Sequence, residues 1–353
     1  MKNFVWFLLI FLIIFRYIST RPIYHNGDRV RITSTVYSDP VIYPGTQYVK
    51  IAGLKVYLPI FPEVSYGDRV VVEGIVENGK LTDPELISVK SHQGLASGIR
   101  NKIIDFYKKV LPQPMSGLMA GVTLGSKGAL TPDFYDQTKL TGVAHVVVAS
   151  GTNVTFVVSF LMGVLTLFLS RKKAIVFVIV GIVLYLFLSG FDAPLVRAAI
   201  MSGFLFLSQE TGRLVAGWRV FFLAAGLMLV YNPNWITDIG FILSFVSTGS
   251  LMLFEKRVRA KLSKVPEILK EGLSTSLAAQ IGVAPILFVT FGQFNIWSPL
   301  INALVLWTVP YIMVLGSIAG VLGLTVPALG RLTLLLSYPL LWWFVEIVKL
   351  FNR

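Results

Sequence analysis

The stretch HVVVASGTNVTFVVSF, residues 145–160, carries His145, Ser150, Gly151, Thr152 and Asn153 within about two helical turns of otherwise apolar sequence. A lipid-facing helix gains nothing from such groups, so they must face something else. The glycine among them favours a broken helix lining an aqueous cavity. The alternative is a kinked helix whose hydroxyls bond back to its own carbonyls. A nucleophilic serine with His145 as its base is disfavoured, because five residues on a helix separate the two side chains by about 140° and no orienting acid is evident. The sequon Asn153-Val154-Thr155 has no meaning inside a membrane span.

Further polar groups recur in apolar surroundings. Asp192 and Arg197 lie in SGFDAPLVRAAIMSG, and Asp238 precedes GFILSFVSTGS with Ser244, Ser247 and Thr248. Gln280 lies in LAAQIGVAP and Asn302 in WSPLINALVLW. An ionisable group within a span faces a bundle interior or a wet path and has a partner. Two readings stay open: a polar path, or an ion pair of Arg197 with Asp192 or Asp238 plus amide bonds that merely hold helices together.

The elements that must carry these residues follow from composition. The 353 residues are 55% hydrophobic and only 14% charged, with long uncharged runs from residue 142 onward, which is the pattern of a polytopic membrane protein. There is no cysteine, which excludes disulfides and thiolate-held metals, and three histidines make a multi-histidine site improbable. The net charge of +13 fits cytoplasmic loops first and an acidic partner second.

The pattern predicts an N-terminal anchor over residues 1–21, with Arg16 after the apolar run, and an uncleaved one because no small-residue cleavage site follows. Residues 22–92 read as five short strands, at 27–37, 46–51, 54–60, 67–77 and 84–90, with turns at Gly53 and Asn78-Gly79. Five strands in that length fit a small all-β OB-like barrel. Period two puts Tyr48 with Lys50 on one face and Lys55 with Tyr57 on one face of the next strand. Rings interleaved with cations suit single-stranded nucleic acid, while the plainer reading is a solvated face.

Residues 93–114 read as an amphipathic interfacial helix with Arg100, Lys102, Lys108 and Lys109 off its apolar side. The run MSGLMAGVTLGSKGAL is too short and glycine-rich for a comfortable span, so a buried or re-entrant helix is expected there. Its glycine spacing is not that of a nucleotide-binding loop. Spans are expected at 142–169, 173–190, 194–209, 219–232, 237–254, 274–292, 299–323 and 331–349. Alternation gathers Arg171-Lys172-Lys173, Arg213 with Arg219, and the Lys256 to Lys270 loop on the cytoplasmic side, leaving the barrel and His145 outside. The whole is a polytopic α-helical protein of the cytoplasmic membrane with an extracytoplasmic barrel.

The segment LMAGVTLGSKGALTPDFYDQTKLTGVAHVVVASGTNVTFVVSF resembles the signature of the ComEC family of competence proteins, with Thr141-Gly142, His145, Ser150-Gly151 and Val154 filling its pattern. PLVRAAIMSGFLFLSQETGR, YNPNWITDIGFILSF and SLAAQIGVAPILFVTFGQFNIWSPLINALVLWTVP follow in the family's order. The resemblance implies that residues 115–353 form a multi-helix channel carrying one strand of DNA inward during natural transformation. It makes His145, Ser150, Gly151, Arg197, Asp238, Phe241, Ser244, Gln280, Pro285 and Asn302 candidates for the conduit. Asn153 stands where the family often has His. Many relatives also carry a C-terminal metallo-β-lactamase-like nuclease domain, and the sequence ending at Arg353 reads as a shortened form without it.

The reading is therefore of a non-enzymatic channel without metal or cofactor. Its implied partners are single-stranded DNA, the lipid bilayer, a cytoplasmic helicase or ATPase, an extracytoplasmic DNA receptor and further copies of itself. A small-solute transporter, an intramembrane serine hydrolase and a scaffold without transport are the alternatives.

Overall fold

The computed structural model describes residues 2–20, 24–36, 40–43, 45–90, 94–148, 150–210, 216–291 and 295–352. His92 and Arg213 lie outside the described residues. The chain opens with α1 (Lys2–Thr20), whose apolar surface packs along α9 (Gly217–Tyr231). Arg16 donates to the carbonyls of Val230 (3.1 Å) and Tyr231 (3.3 Å), the orphan acceptors at the C-terminal end of α9.

One six-stranded sheet follows: β1 (Arg29–Thr35), β2 (Val41–Tyr43), β3 (Thr46–Ile51), β4 (Leu54–Pro59), β5 (Arg69–Glu77) and β6 (Lys80–Lys90), in the order β1-β5-β6-β4-β3-β2. Alternation sends Val49, Ile51, Val56, Leu58, Val70, Val72 and Leu81 inward, where each is 3% exposed or less. Positive φ at Asn78 and Gly79 closes the β5–β6 hairpin at the expected dipeptide. Gly74 is required because a Cβ there would lie 2.7 Å from the Leu81 side chain.

The sheet departs from the expected barrel in two ways. Its strand order leaves β1 and β2 as unpaired ends, so hydrogen bonds do not close it. The hairpin β5–β6 joins the β3–β4 meander only where Lys55 meets Lys80 and Val56 meets Leu81, in parallel, and that two-position junction curves the sheet without sealing it. The strand β2 is new; three residues are too few to show a period.

The amphipathic helix is α2 (Leu95–Val110), and Ile103, Ile104 and Tyr107 are buried against other helices. Arg100 does not stay off that side: it is 1% exposed, donates to the Leu188 carbonyl at 2.8 Å and lies 4.8 Å from the centre of the Tyr66 ring. Leu188 belongs to the last turn of α7 (Arg171–Ser189), where an unbonded carbonyl and the helix dipole both favour a cation. The glycine-rich run forms α3 (Met115–Leu124), and all ten of its residues are buried. Gly117 and Gly121 let its backbone touch the backbone at Ala129 and Val147.

The remaining helices are α4 (Pro132–Leu140), α5 (Ala144–Val147), α6 (Gly151–Leu165), α8 (Ala193–Glu210), α10 (Ile239–Lys261), α11 (Glu267–Phe291), α12 (Ser298–Val305), α13 (Val309–Thr325) and α14 (Pro327–Leu350). Among the described residues five segments are long and apolar enough to cross a membrane: 171–189, 239–261, 270–290, 298–325 and 327–350. The others fall short. The expected span 142–169 is divided between α5 and α6, and the 15 residues of α6 rise only about 22 Å against a hydrocarbon core of about 30 Å.

Neighbouring helices close a ring. Following the contacts, α3 packs on α13 and α14, α13 on α6, α6 on α8, α8 on α10, α10 on α11, α11 on α12, and α12 back on α14. Among the described helices the apolar packing has two centres. One gathers around α3, α6, α7, α13 and α14, and the other joins α8, α9 and α10 through Ala193, Phe221, Met228, Phe241 and Phe245.

Candidate functional site

The polar stretch that opens the sequence breaks its helix. Backbone at Ser150 is extended (φ −121°, ψ 170°) and stands at the N-cap position of α6, without a capping bond from its hydroxyl. The Ser150 and Thr152 hydroxyls lie 2.6 Å apart, and the Ser150 hydroxyl donates to Asn153 Oδ1 at 3.2 Å. Asn153 is fully buried, and its Nδ2 donates to the Val122 carbonyl at 2.9 Å. That carbonyl is in the last turn of α3, where no helical donor reaches it, so Asn153 ties α6 to α3. His145 is exposed on α5 between buried neighbours, and the Ser150 hydroxyl is engaged elsewhere.

One turn along α8 sits the cation. Arg197 donates through Nη1 to the Ser244 carbonyl and the Thr248 hydroxyl of α10, with its guanidinium carbon 5.7 Å from the centre of the Phe245 ring. Gly151 makes room for it: a Cβ at that position would lie 2.8 Å from Arg197 Nη2. Arg197 Nε and Ser244 Oγ are buried without a partner. Among the described residues no carboxylate pairs with this charge. Asp192 is paired with Lys127 at 3.2 Å and Asp238 with Lys50 at 2.8 Å, so the ion pair that could have made Arg197 a mere brace does not form.

The other motif residues divide between packing and polarity. Phe241 is buried 4.5 Å from the Phe245 ring centre, and Phe245 meets Phe221 of α9 edge to face, so Phe241 holds helices together. Asn302 donates to the Ser276 hydroxyl of α11 (3.1 Å) and to that of Ser298 (3.3 Å), while its Oδ1 is buried and unpartnered. The Ser298 hydroxyl donates in turn to the Gly142 carbonyl at 3.4 Å. Gln280 is half-buried on α11, and Pro285, exposed one turn further on, removes the N–H that would have bonded the Ile281 carbonyl.

A second cluster lies where the sheet meets the helices. Tyr48 opposes Tyr57, and Lys50 opposes Lys55, in the β3–β4 register, so all four share one face with the rings 5.2 Å apart. Lys50 reaches Asp238, whose other oxygen accepts the Phe241 N–H at 3.1 Å and caps α10. Burial, then the neighbouring Tyr57 and Tyr43, push the Tyr48 phenol up, and Lys127 and Asp238 lie near enough to act on it as well. Tyr48 is therefore uncharged at neutral pH. Of the four sheet residues Lys50 reaches the helices, Arg197 and the Ser150 turn lie within them, and among the described residues Gln280 and Pro285 show no bond to either cluster.

Sequence reasoning missed Lys127, which lies in the glycine-rich run, and Arg100. Neither carries a local signal, because the partners Asp192 and Leu188 are more than sixty residues away. Among the described residues no group of three or more His, Cys, Asp or Glu gathers that could hold a metal ion.

Comparison with known proteins agrees with the motif order. ComE operon protein 3 of Bacillus subtilis (strain 168) is 30% identical over 265 residues, covering 72% of this chain and 32% of the relative. Competence protein ComA of Neisseria gonorrhoeae is 26% identical over 216 residues, covering 57% of this chain and 30% of the relative. The chain thus spans about a third of the length of these curated relatives. No solved structure matches it. The family model described as competence protein matches residues 122–353, from within α3 to the last residue, and includes the Ser150 turn, Arg197, Asp238 and Asn302. The chain belongs to the competence protein family.

Proposed function

We propose that the protein is a multi-pass membrane channel that passes single-stranded DNA inward during DNA uptake. The names of its relatives, both tied to competence, support DNA as the cargo. The observation that carries the reading is Arg197, a cation held between α8 and α10 by a carbonyl and a hydroxyl, with no carboxylate paired to it among the described residues. A charge among apolar helices faces a bundle interior or a wet path and takes carbonyls, water or a counter-ion as partners, and Arg197 still has an unused buried Nε. A strand with one phosphate per nucleotide supplies that counter-ion transiently, which a fixed carboxylate would block.

The hydroxyls of Ser150, Thr152 and Thr248 and the amide of Asn302 provide neutral hydrogen-bonding groups along the same ring. The proposed process is passage rather than bond cleavage, and the Ser150 hydroxyl is engaged with Thr152 and Asn153 at the start of α6. The sheet, on the extracytoplasmic side, receives the strand on Tyr48, Lys50, Lys55 and Tyr57. A DNA receptor outside and a helicase or ATPase inside complete the route.

The test is uptake of labelled DNA into a nuclease-protected compartment, in cells with the gene, without it, and with Arg197→Leu. Loss of the protected single-strand signal in the deletion, and a fall of at least about tenfold in the variant, is expected. Unchanged uptake without the gene would overturn the reading.

A further inference from the structure

The tyrosine and lysine face of the sheet carries an electrostatic imbalance. Lys50 and Lys55 stand directly opposite each other across β3 and β4, and like charges in that position repel. Among the described residues Lys55 has no ion pair, and the charge of Lys50 is met only from outside the sheet, by Asp238 Oδ2 at 2.8 Å. The two oxygens of Asp238 have separate tasks. Oδ1 caps α10, and Oδ2 reaches across the junction.

We infer that Asp238 stands in for a phosphate: its Oδ2 occupies Lys50 while the junction is empty, and a phosphodiester of single-stranded nucleic acid displaces it as bases stack on Tyr48 and Tyr57. The inference rests on the DNA reading above and adds a competitor built into the chain. A carboxylate oxygen and a phosphate oxygen accept from an ammonium group at the same distance, so the exchange needs no rearrangement of Lys50. The Lys50 side chain is 45% exposed and that of Asp238 26%, so a phosphate reaches the ammonium group from the solvent side and competes for a partly screened pair. Tyr57, at 43% exposure, is open to a base, and Tyr48 carries no charge to repel the backbone. When a strand takes Lys50, the sheet loses this tie to α10, the helix that also holds Arg197.

The test uses the full chain in lipid nanodiscs and a fluorescein-labelled oligothymidylate read by anisotropy. Asp238→Asn removes the charge and keeps a good cap, so α10 stays folded. It is expected to tighten binding about two- to fivefold at low salt, the range an exposed ion pair allows. Lys50→Gln is expected to weaken binding, and in its presence Asp238→Asn should have no further effect. If Asp238→Asn fails to fold, Asp238→Ser keeps the cap and answers the same question. Binding by the unaltered protein that the Asp238 variants leave unchanged or weaken would overturn the inference and leave the DNA reading standing. No binding by either the unaltered protein or the variants would remove the DNA reading, and this inference with it.

Discussion

At the scale of single residues, the clearest division is between polar groups that hold helices and polar groups left with unused capacity. Asn153 belongs to the first kind, since its amide fills the orphan carbonyl of Val122. Asn153→Ala should lower stability by about 1–3 kcal/mol, the usual effect of leaving a buried acceptor unmade, seen as a lower midpoint of thermal unfolding in detergent. A midpoint unchanged from the parent would mean that Val122 finds another donor. Arg197 belongs to the second kind. Gly151→Ala puts a methyl against its guanidinium and should cost about 1–3 kcal/mol or displace the arginine, with DNA uptake falling in either case. The residue types at 145–153 pointed to a broken helix, and the break is where the serine and glycine placed it. That Asn153 braces α6 against α3 was not legible, because its partner is a backbone atom of a distant helix.

At the scale of elements, local chemistry was read well wherever it is dense. The positive-φ Asn78-Gly79 turn, the buried glycine-rich α3 and the apolar lengths of α7, α10 and α14 all follow from composition and spacing. Tertiary effects were invisible: β2 is too short to show a period, the sheet's open ends depend on strand pairing, and Arg100 is drawn inward by the end of a helix far along the chain. The glycines of the helices illustrate the same limit, since sequence does not distinguish a close approach from an open position. Gly117→Ala would bring a methyl to 2.6 Å from the Ala129 carbonyl oxygen and should destabilise the fold by about 1–3 kcal/mol. Gly163→Ala, with nothing within 4 Å of the new methyl, should be neutral or stabilise α6 by up to about 1 kcal/mol. Parallel melting curves of the two variants check both, and equal losses would contradict the packing described for α3.

For the whole molecule, a curved sheet stands at one end of a ring of helices, joined to it by the Lys50–Asp238 pair and by contact between Pro40 and Gly128. The two packing centres meet at α8, which carries Leu195 into one and Ala193 into the other and holds Arg197 beside α10. The motif-bearing helices α6, α8, α10, α11 and α12 follow one another around the ring in chain order, while α13 stands between α3 and α6. The absence of cysteine makes one direct measurement available. In a Thr248→Cys chain, whose single thiol lies beside Arg197, a bulky charged thiol reagent should modify the cysteine and reduce DNA uptake by about tenfold or more if the proposed path runs past that point. Complete modification with uptake unchanged, or no modification from either side of the membrane, would contradict a wet path for DNA past Arg197.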